Sequence, residues 1–145
     1  MIAGYYPYLK DLFALKTQPH LYTWLIWAIT ASIASAGVFV GGGDLGVLPM
    51  AAGTLMVIFV CLLSFKYGSK NITKSDTVTL VFALLAILIW VKMENPLLAV
   101  LLATSIDSFG YIPTFRKTYQ EPSTETSSFW LLITISYVFT ILASS

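Results

Sequence analysis

Long apolar segments alternate with short polar connections along the whole chain. A helix needs about 20 apolar residues to cross the hydrocarbon core of a bilayer, within a range of about 17–25. Five segments approach that length, and a shorter apolar and aromatic stretch, Met1–Leu15, precedes them. The five are Leu21–Val40, Val47–Phe65, Thr77–Met93, Pro96–Phe115 and Phe129–Ala143. Because the connections are brief, the backbone polar groups of these segments are best satisfied by helices packed as a bundle.

The polar connections contain the residues that end one helix and begin the next. Gly41–Asp44 predicts a flexible turn, and Lys66–Lys74 predicts a polar loop. Ser75 or Asp76 is placed to cap the following helix by accepting hydrogen bonds from its free N–H groups. Pro96 follows Glu-Asn and predicts the first turn of another helix, where a missing N–H costs nothing.

Composition supports a membrane location. Of the 145 residues, 57% are hydrophobic and only 10% are charged, whereas soluble domains carry roughly 25% charged residues. The net charge of +1 argues against a nucleic-acid partner, which requires a basic face. The single cysteine, Cys61, cannot form a disulfide within the chain.

The distribution of cations predicts an orientation. Seven of the eight Lys and Arg residues fall in three connections that alternate with nearly uncharged ones. By the positive-inside rule these three connections are cytoplasmic, which predicts an integral plasma (inner) membrane protein with both termini outside. The seven cations are Lys10, Lys16, Lys66, Lys70, Lys74, Arg116 and Lys117.

An internal repeat joins the two ends of the chain. Gly4–Pro7 and Gly110–Pro113 share the pattern Gly-Tyr-x-Pro at an offset of 106 residues. At the same offset, without a gap, Trp24 aligns with Trp130. The copies begin four helices apart, so they have the same direction in the membrane. Parallel repeats of this kind are a known plan of transporters.

The segment Gly110–Thr126, with its Gly-Tyr-Ile-Pro start, resembles the PQ-loop superfamily, which includes SWEET and SemiSWEET sugar transporters and nicotinamide riboside transporters. The resemblance implies an all-α, polytopic transmembrane bundle of two parallel triple-helix repeats joined by a linker helix. Pro7 and Pro113 match the proline near the cytoplasmic end of the first helix in each repeat. The implied organisation is a first repeat at 1–66, a loop and linker helix at 67–95, and a second repeat at 96–145.

Two features depart from that family pattern. Tyr8 and Thr114 follow the prolines, where the family carries the glutamine that gives the loop its name. Compared with the second copy, the first helix is short, and the third helix of the second repeat is missing. These features lead us to expect either a fragment or a reduced form that requires a partner chain.

Asp107 is the one acid placed well inside an apolar helix, with Ser105 and Ser108 beside it. Intramembrane acids are costly and usually face a bundle interior or an aqueous cavity. Asp107, Ser105, Ser108, Trp27 and Ser32 are therefore the candidate substrate-binding residues, although structural pairing of the acid is an alternative.

The repeated glycines and prolines are hinge candidates. Proline removes a backbone N–H and bends a helix, so Pro7 and Pro113, with Gly4 and Gly110, would let a pathway open and close. A static bend at the helix end is the alternative.

For the other polar and aromatic residues, structural roles are favoured over functional ones. Helix packing is favoured for the small residues around Ser32, and an interfacial belt is favoured for Trp24, Trp27, Trp90 and Trp130. His20 lies in a polar loop, where solvent exposure is expected.

Two functional hypotheses remain open. The first is a transporter of a small polar solute, with a sugar implied by the family resemblance, working by alternating access. The second is a non-transporting membrane scaffold or accessory subunit. The expected partners are the lipid bilayer, the solute, and a homo-oligomer or partner subunit. No catalytic motif, metal site or cofactor motif is evident, so an enzyme is not predicted.

Overall fold

A computed structural model describes residues 2–42 and 47–144, and in this part of the chain it contains helices and no strands. Gly43 and Asp44 of the predicted turn lie outside the described residues. A short 3₁₀ helix, Pro122–Thr124, precedes the last α-helix. The six α-helices are α1 (Ile2–Phe13), α2 (Leu21–Val40), α3 (Val47–Tyr67), α4 (Lys74–Trp90), α5 (Pro96–Gln120) and α6 (Ser127–Ser144).

The predicted apolar segments correspond to helices, and the differences lie at their ends. α2 has the predicted bounds. α5 continues beyond Phe115 as far as Gln120, and the turns added beyond Phe115 are polar. Hydropathy therefore located the apolar part of each helix and not its polar ends.

Capping explains where α4 and α5 begin. Thr73 Oγ1 accepts a hydrogen bond from the Asp76 amide at 3.4 Å, and Asp76 Oδ2 accepts one from the Thr73 amide at 2.7 Å. This reciprocal capping box satisfies two backbone donors at once, and it moves the start of α4 ahead of the predicted Thr77. Asn95 caps α5 by accepting from the Leu98 amide at 3.1 Å, with Pro96 in the first turn as predicted.

α2 is the central helix of the bundle. It packs against α3, α4 and α5, while α1 packs against α3 and α6. One buried cluster joins α1, α2, α3 and α6 around Tyr8, Trp24 and Phe129. A second cluster joins α2, α4 and α5 around Ile26 and Ile106. Because α2 contributes to both clusters, the two halves of the bundle share one wall.

Two of the described helical segments, Leu21–Val40 and Leu48–Tyr67, are long and apolar enough to cross a membrane by length and composition. Only 22% and 28% of their most apolar windows are buried, whereas a core helix of a soluble protein would be mostly buried. Large apolar side chains also face outward on α4, where Phe82 is 64% exposed and Leu88 is 63% exposed. Exposed apolar surface of this extent marks a membrane or protein–protein interaction surface.

Candidate functional site

A cavity of about 330 Å³ lies inside the bundle, and all six α-helices contribute to its wall. Its volume is within the range of about 300–1,000 Å³ found for small-molecule sites. The polar side chains on its wall include Thr30, Thr54 and Asp107. Aromatic side chains dominate the rest of the lining: Tyr5, Trp24, Trp27, Trp90, Tyr111, Phe129, Trp130 and Tyr137.

Asp107 is held against α2 by two hydrogen bonds. Thr30 Oγ1 donates to its carboxylate Oδ1 at 2.9 Å. Trp27 Nε1 donates to its backbone carbonyl at 3.2 Å. In the described part of the chain, the ion pairs involve Asp76 and Glu125 and none involves Asp107. The cavity therefore contains a carboxylate without a cationic partner among these residues.

Three rings beside Asp107 form what we call the aromatic wall: Trp27, Tyr111 and Trp130. The Trp27 and Tyr111 ring centroids are 4.6 Å apart, and Trp130 lies 6.1 Å from Trp27 and 6.0 Å from Tyr111. The three planes are inclined to one another by 66°, 67° and 55°. Steep angles of this kind are preferred by aromatic pairs, and they bring rings from α2, α5 and α6 together.

The candidate serines lie elsewhere. Ser32 donates to the Ala28 carbonyl at 2.6 Å, and Ser105 and Ser108 each donate to a carbonyl one turn back at 2.8 Å. None of the three is among the residues that line the cavity. Neighbours at i+1 and i+2 on a helix do not share a face, so Ser105 and Ser108 do not accompany Asp107. Their role in substrate binding stays a prediction.

Of the four tryptophans, Trp27 alone was predicted to belong to the site. All four line the cavity, and Trp24 is only 1% exposed. The interfacial-belt interpretation is therefore wrong for Trp24, which packs between the rings of Tyr8 and Trp27. The signal was present in the sequence, because Trp24 aligns with Trp130 in the repeat and Trp27 lies one turn further along the same helix face.

The hinge candidates lie inside helices. Pro7 is within α1 and Pro113 is within α5, and a hinge motion at either proline stays a prediction. The glycines permit close packing. A Cβ on Gly110 would lie 2.6 Å from Trp27 Nε1, whereas a Cβ on Gly4 would meet only Leu132 at 3.6 Å and Ile133 at 3.9 Å.

This contrast predicts different effects for two equivalent substitutions. Gly110→Ala is expected to destabilise the fold by about 1–3 kcal/mol, the usual cost of overpacking. The indole of Trp27 is rigid and is held by its bond to Asp107, so it cannot move away freely. Gly4→Ala, the matched control, should be nearly neutral. Thermal unfolding in detergent measures both, and equal melting temperatures for the two variants would contradict the predicted clash.

At one end of the bundle the α1–α2, α3–α4 and α5–α6 connections meet in what we call the polar layer. The Gln18 amide donates to the Thr124 carbonyl at 3.0 Å, and the Ser69 amide donates to the Pro19 carbonyl at 3.0 Å. Thr17 and Thr126 are also hydrogen-bonded through their hydroxyls. These three connections are the cation-bearing ones, so the structure brings them to the same end.

Two ion pairs stabilise the polar layer. Arg116 binds Asp76 with both arms of its guanidinium, Nε to Oδ1 at 2.9 Å and Nη2 to Oδ2 at 2.6 Å. Lys117 Nζ binds Glu125 Oε1 at 2.6 Å. Glu125 Oε2 in turn accepts from Trp130 Nε1 at 3.1 Å. Through Trp130, the second ion pair is connected directly to the wall of the cavity.

His20 is buried in this layer with 0% exposure, so the expectation that it is solvent-exposed is wrong. Neither ring nitrogen has a hydrogen-bond partner in the described part of the chain, although Nε2 lies 3.4 Å from Asp76 Oδ2. Burial lowers the pKa of His20 from its ordinary 6.5, the nearby positive charges of Arg116 and Lys117 lower it further, and Asp76 opposes the shift. The loop is buried because three connections pack together, which local polarity does not indicate.

The lowered pKa predicts acid sensitivity. The folded chain binds a proton on His20 less readily than the unfolded chain does. The free energy of unfolding is therefore highest above about pH 6.5, and this stability is lost as the pH falls through the folded-state pKa. We expect a loss of at most about 1.4 kcal/mol per pH unit, and His20→Leu should remove this dependence. Unfolding measured between about pH 7.5 and about pH 5.5 covers the histidine range. If the free energies of unfolding of wild type and His20→Leu changed with pH in parallel, the prediction would be refuted.

The described residues contain no group of three or more His, Cys, Asp or Glu side chains placed to hold a metal ion. No family model, curated protein or solved structure matches the chain. The site must therefore be interpreted from its own geometry.

Proposed function

We propose that this chain is a multi-pass membrane protein that carries a small polar solute across the bilayer by alternating access. The observation that carries the proposal is the cavity, because all six helices line it and it contains one intramembrane acid beside an aromatic wall. Acids inside membrane segments commonly mark substrate or ion pathways.

The outward surface supports a polytopic arrangement beyond α2 and α3. On α5, Leu98 is 50% exposed and Leu101 is 56% exposed; on α6, Leu131 is 62% exposed and Phe139 is 67% exposed. Burying apolar surface is worth roughly 25 cal/mol per Å², so side chains of this size would be poorly placed in water. Lipid around α4, α5 and α6 accounts for them.

Paired contacts support two equivalent repeats. In the alignment, α1 corresponds to α5 and α2 to α6, and the packing of α2 on α5 is matched by that of α6 on α1. Thr114 donates to Thr23 at 2.8 Å, and the equivalent positions Tyr8 and Phe129 have ring centroids 4.6 Å apart. These pairs are what a two-fold axis along the membrane normal would produce.

The polar layer supports a mechanism. Lys117 Nζ donates to the Gln18 carbonyl at 2.6 Å and to the Thr124 carbonyl at 3.1 Å. These bonds join the α1–α2 connection to the α5–α6 connection at the cation-rich end. By the positive-inside rule this end is cytoplasmic. For the solute to pass, the two connections must separate while the opposite end closes.

The membrane topology can be tested with single cysteines in a Cys61→Ala background. Lys70 and Glu94 lie on either side of α4 and both are exposed. We expect a membrane-impermeant maleimide to label Glu94→Cys in intact cells and Lys70→Cys only after lysis. Labelling of both positions from the same side would show that α4 does not cross the membrane.

Transport itself is tested by uptake into proteoliposomes. Wild-type protein should concentrate or equilibrate a solute that empty liposomes exclude, and Asp107→Asn should remove that uptake because the cavity loses its charge. Glu94→Gln removes an exposed acid outside the cavity and serves as the control. Failure of every solute to enter, together with stable co-purification of a partner chain, would overturn transport and favour the scaffold hypothesis.

A further inference from the structure

The identity of the solute follows from what the cavity offers to a ligand. The carboxylate of Asp107 has one neutral donor, Thr30, and no cationic partner among the described residues. When a transport site closes around its cargo, the carboxylate loses water. An isolated charge in that state is costly unless the ligand neutralises it. An uncharged cargo supplies no such compensation, whereas a cation does.

Several hydrogen-bonding groups of the cavity wall are committed elsewhere. Trp27 Nε1 donates to a backbone carbonyl, and Trp130 Nε1 donates to Glu125. Thr54 and Ser35 are bonded to each other at 2.7 Å. A sugar presents a hydroxyl on nearly every carbon and would need many free partners, because an unpaired buried polar group costs about 1–3 kcal/mol. Apart from the ring hydroxyls of Tyr5, Tyr111 and Tyr137, few donors on the cavity wall are left for that role.

Aromatic faces are what the cavity has in abundance. The three rings of the aromatic wall come from three helices and are inclined steeply to one another. A cation placed over such faces is attracted by the ring quadrupoles, by about 0.5–2 kcal/mol for each ring, and quaternary ammonium groups are recognised in this way. A quaternary nitrogen also has no N–H donors, so it makes no demand on the scarce acceptors.

We propose that the cavity binds a small organic cation of the quaternary ammonium class, with its charge facing Asp107 and its methyl groups against Trp27, Tyr111 and Trp130. This assignment rests on the transport function proposed above, since it names the cargo of the same cavity. It also gives the tryptophans a role that an interfacial belt does not.

Equilibrium binding tests the assignment separately from transport. Purified full-length chain is titrated with choline and, in parallel, with dimethylbutanol, the uncharged isostere in which carbon replaces the nitrogen; tryptophan fluorescence reports binding. We expect choline to bind at least about tenfold more tightly, equivalent to about 1.4 kcal/mol. Asp107→Asn should remove the preference, and Glu94→Gln should retain it. Equal affinities for the two probes would overturn the proposal.

A ring variant keeps the test decisive if Asp107→Asn fails to fold. Tyr111→Phe retains the ring and should bind choline as wild type does, whereas Tyr111→Leu should weaken binding by about tenfold. Loss of binding in Tyr111→Phe would indicate that the hydroxyl is the ligand, as a sugar site requires, and would overturn the cation assignment.

Flux measurements separate the two proposals. Choline that binds to the purified chain but does not cross proteoliposomes would preserve the cation site and exclude transport. Sugar uptake that choline does not inhibit would preserve transport and exclude the cation site. Saturable choline uptake that depends on Asp107 supports both.

Discussion

Replacing Lys117 with alanine is expected to destabilise the folded chain by about 3–5 kcal/mol, the cost of leaving a buried charge without its partner. The Lys117 side chain is 0% exposed and that of Glu125 is 3% exposed. The ammonium also satisfies the carbonyls of Gln18 and Thr124. Its removal takes the ammonium away from the Gln18 carbonyl and from the charged Glu125 Oε1, while the Thr124 carbonyl keeps its bond from the Gln18 amide. Thermal unfolding in detergent should show the loss.

Two variants distinguish the ion pair from a general effect of losing a lysine. Lys70→Ala removes an exposed cation and should change stability by less than about 0.5 kcal/mol. The double variant Lys117→Met with Glu125→Gln should recover much of the loss, because no charge remains buried and the introduced amide oxygen still accepts from Trp130. A double variant no more stable than Lys117→Ala would contradict the buried-charge explanation.

The helices were predictable because their cause is local. A run of about 20 apolar residues bounded by polar turns fixes both the type and the position of a membrane helix, as in Leu21–Val40. The start of α5 was equally local, since Asn95 and Pro96 carry the cap and the first turn. Polar extensions such as 116–120 have no such signal and depend on what they contact.

The site was only partly predictable because its contacts are distant in sequence. Asp107 stood out as an acid in an apolar segment, and the structure does place it on the cavity wall. Its partner Thr30 lies on another helix, among the residues around Ser32 that were assigned to packing, while the adjacent serines were favoured by proximity alone. Helical periodicity separates i+1 neighbours, so proximity in sequence was the weaker guide.

Burial of the polar layer could not be derived from local patterns either. His20 is buried by connections about 50 and 100 residues away in sequence, through Ser69 beside Pro19 and through Thr124 beside Gln18. Charged and polar residues are usually exposed, so single-residue preference indicated the opposite. The distribution of cations was the feature of the sequence that grouped all three connections, and the repeat related two of them.

Arg116→Ala is the second substitution expected to have a large effect, also about 3–5 kcal/mol. The side chain of Asp76 is 1% exposed, and both of its oxygens accept from Arg116. The same guanidinium donates to the Asn71 carbonyl at 2.6 Å and to Gln120 at 2.8 Å. One side chain thereby attaches α5 to the α3–α4 connection and to the start of α4.

Arg116→Lys separates charge from geometry at this position. A lysine retains the positive charge but presents a single ammonium, so it cannot reproduce the two parallel bonds to Asp76. We expect about half the loss seen in Arg116→Ala. Lys10→Ala changes the repeat-equivalent cation, which is exposed, and should be nearly neutral. If Arg116→Lys matched wild type in thermal unfolding, charge alone would suffice and the two-armed bond would not stabilise the polar layer.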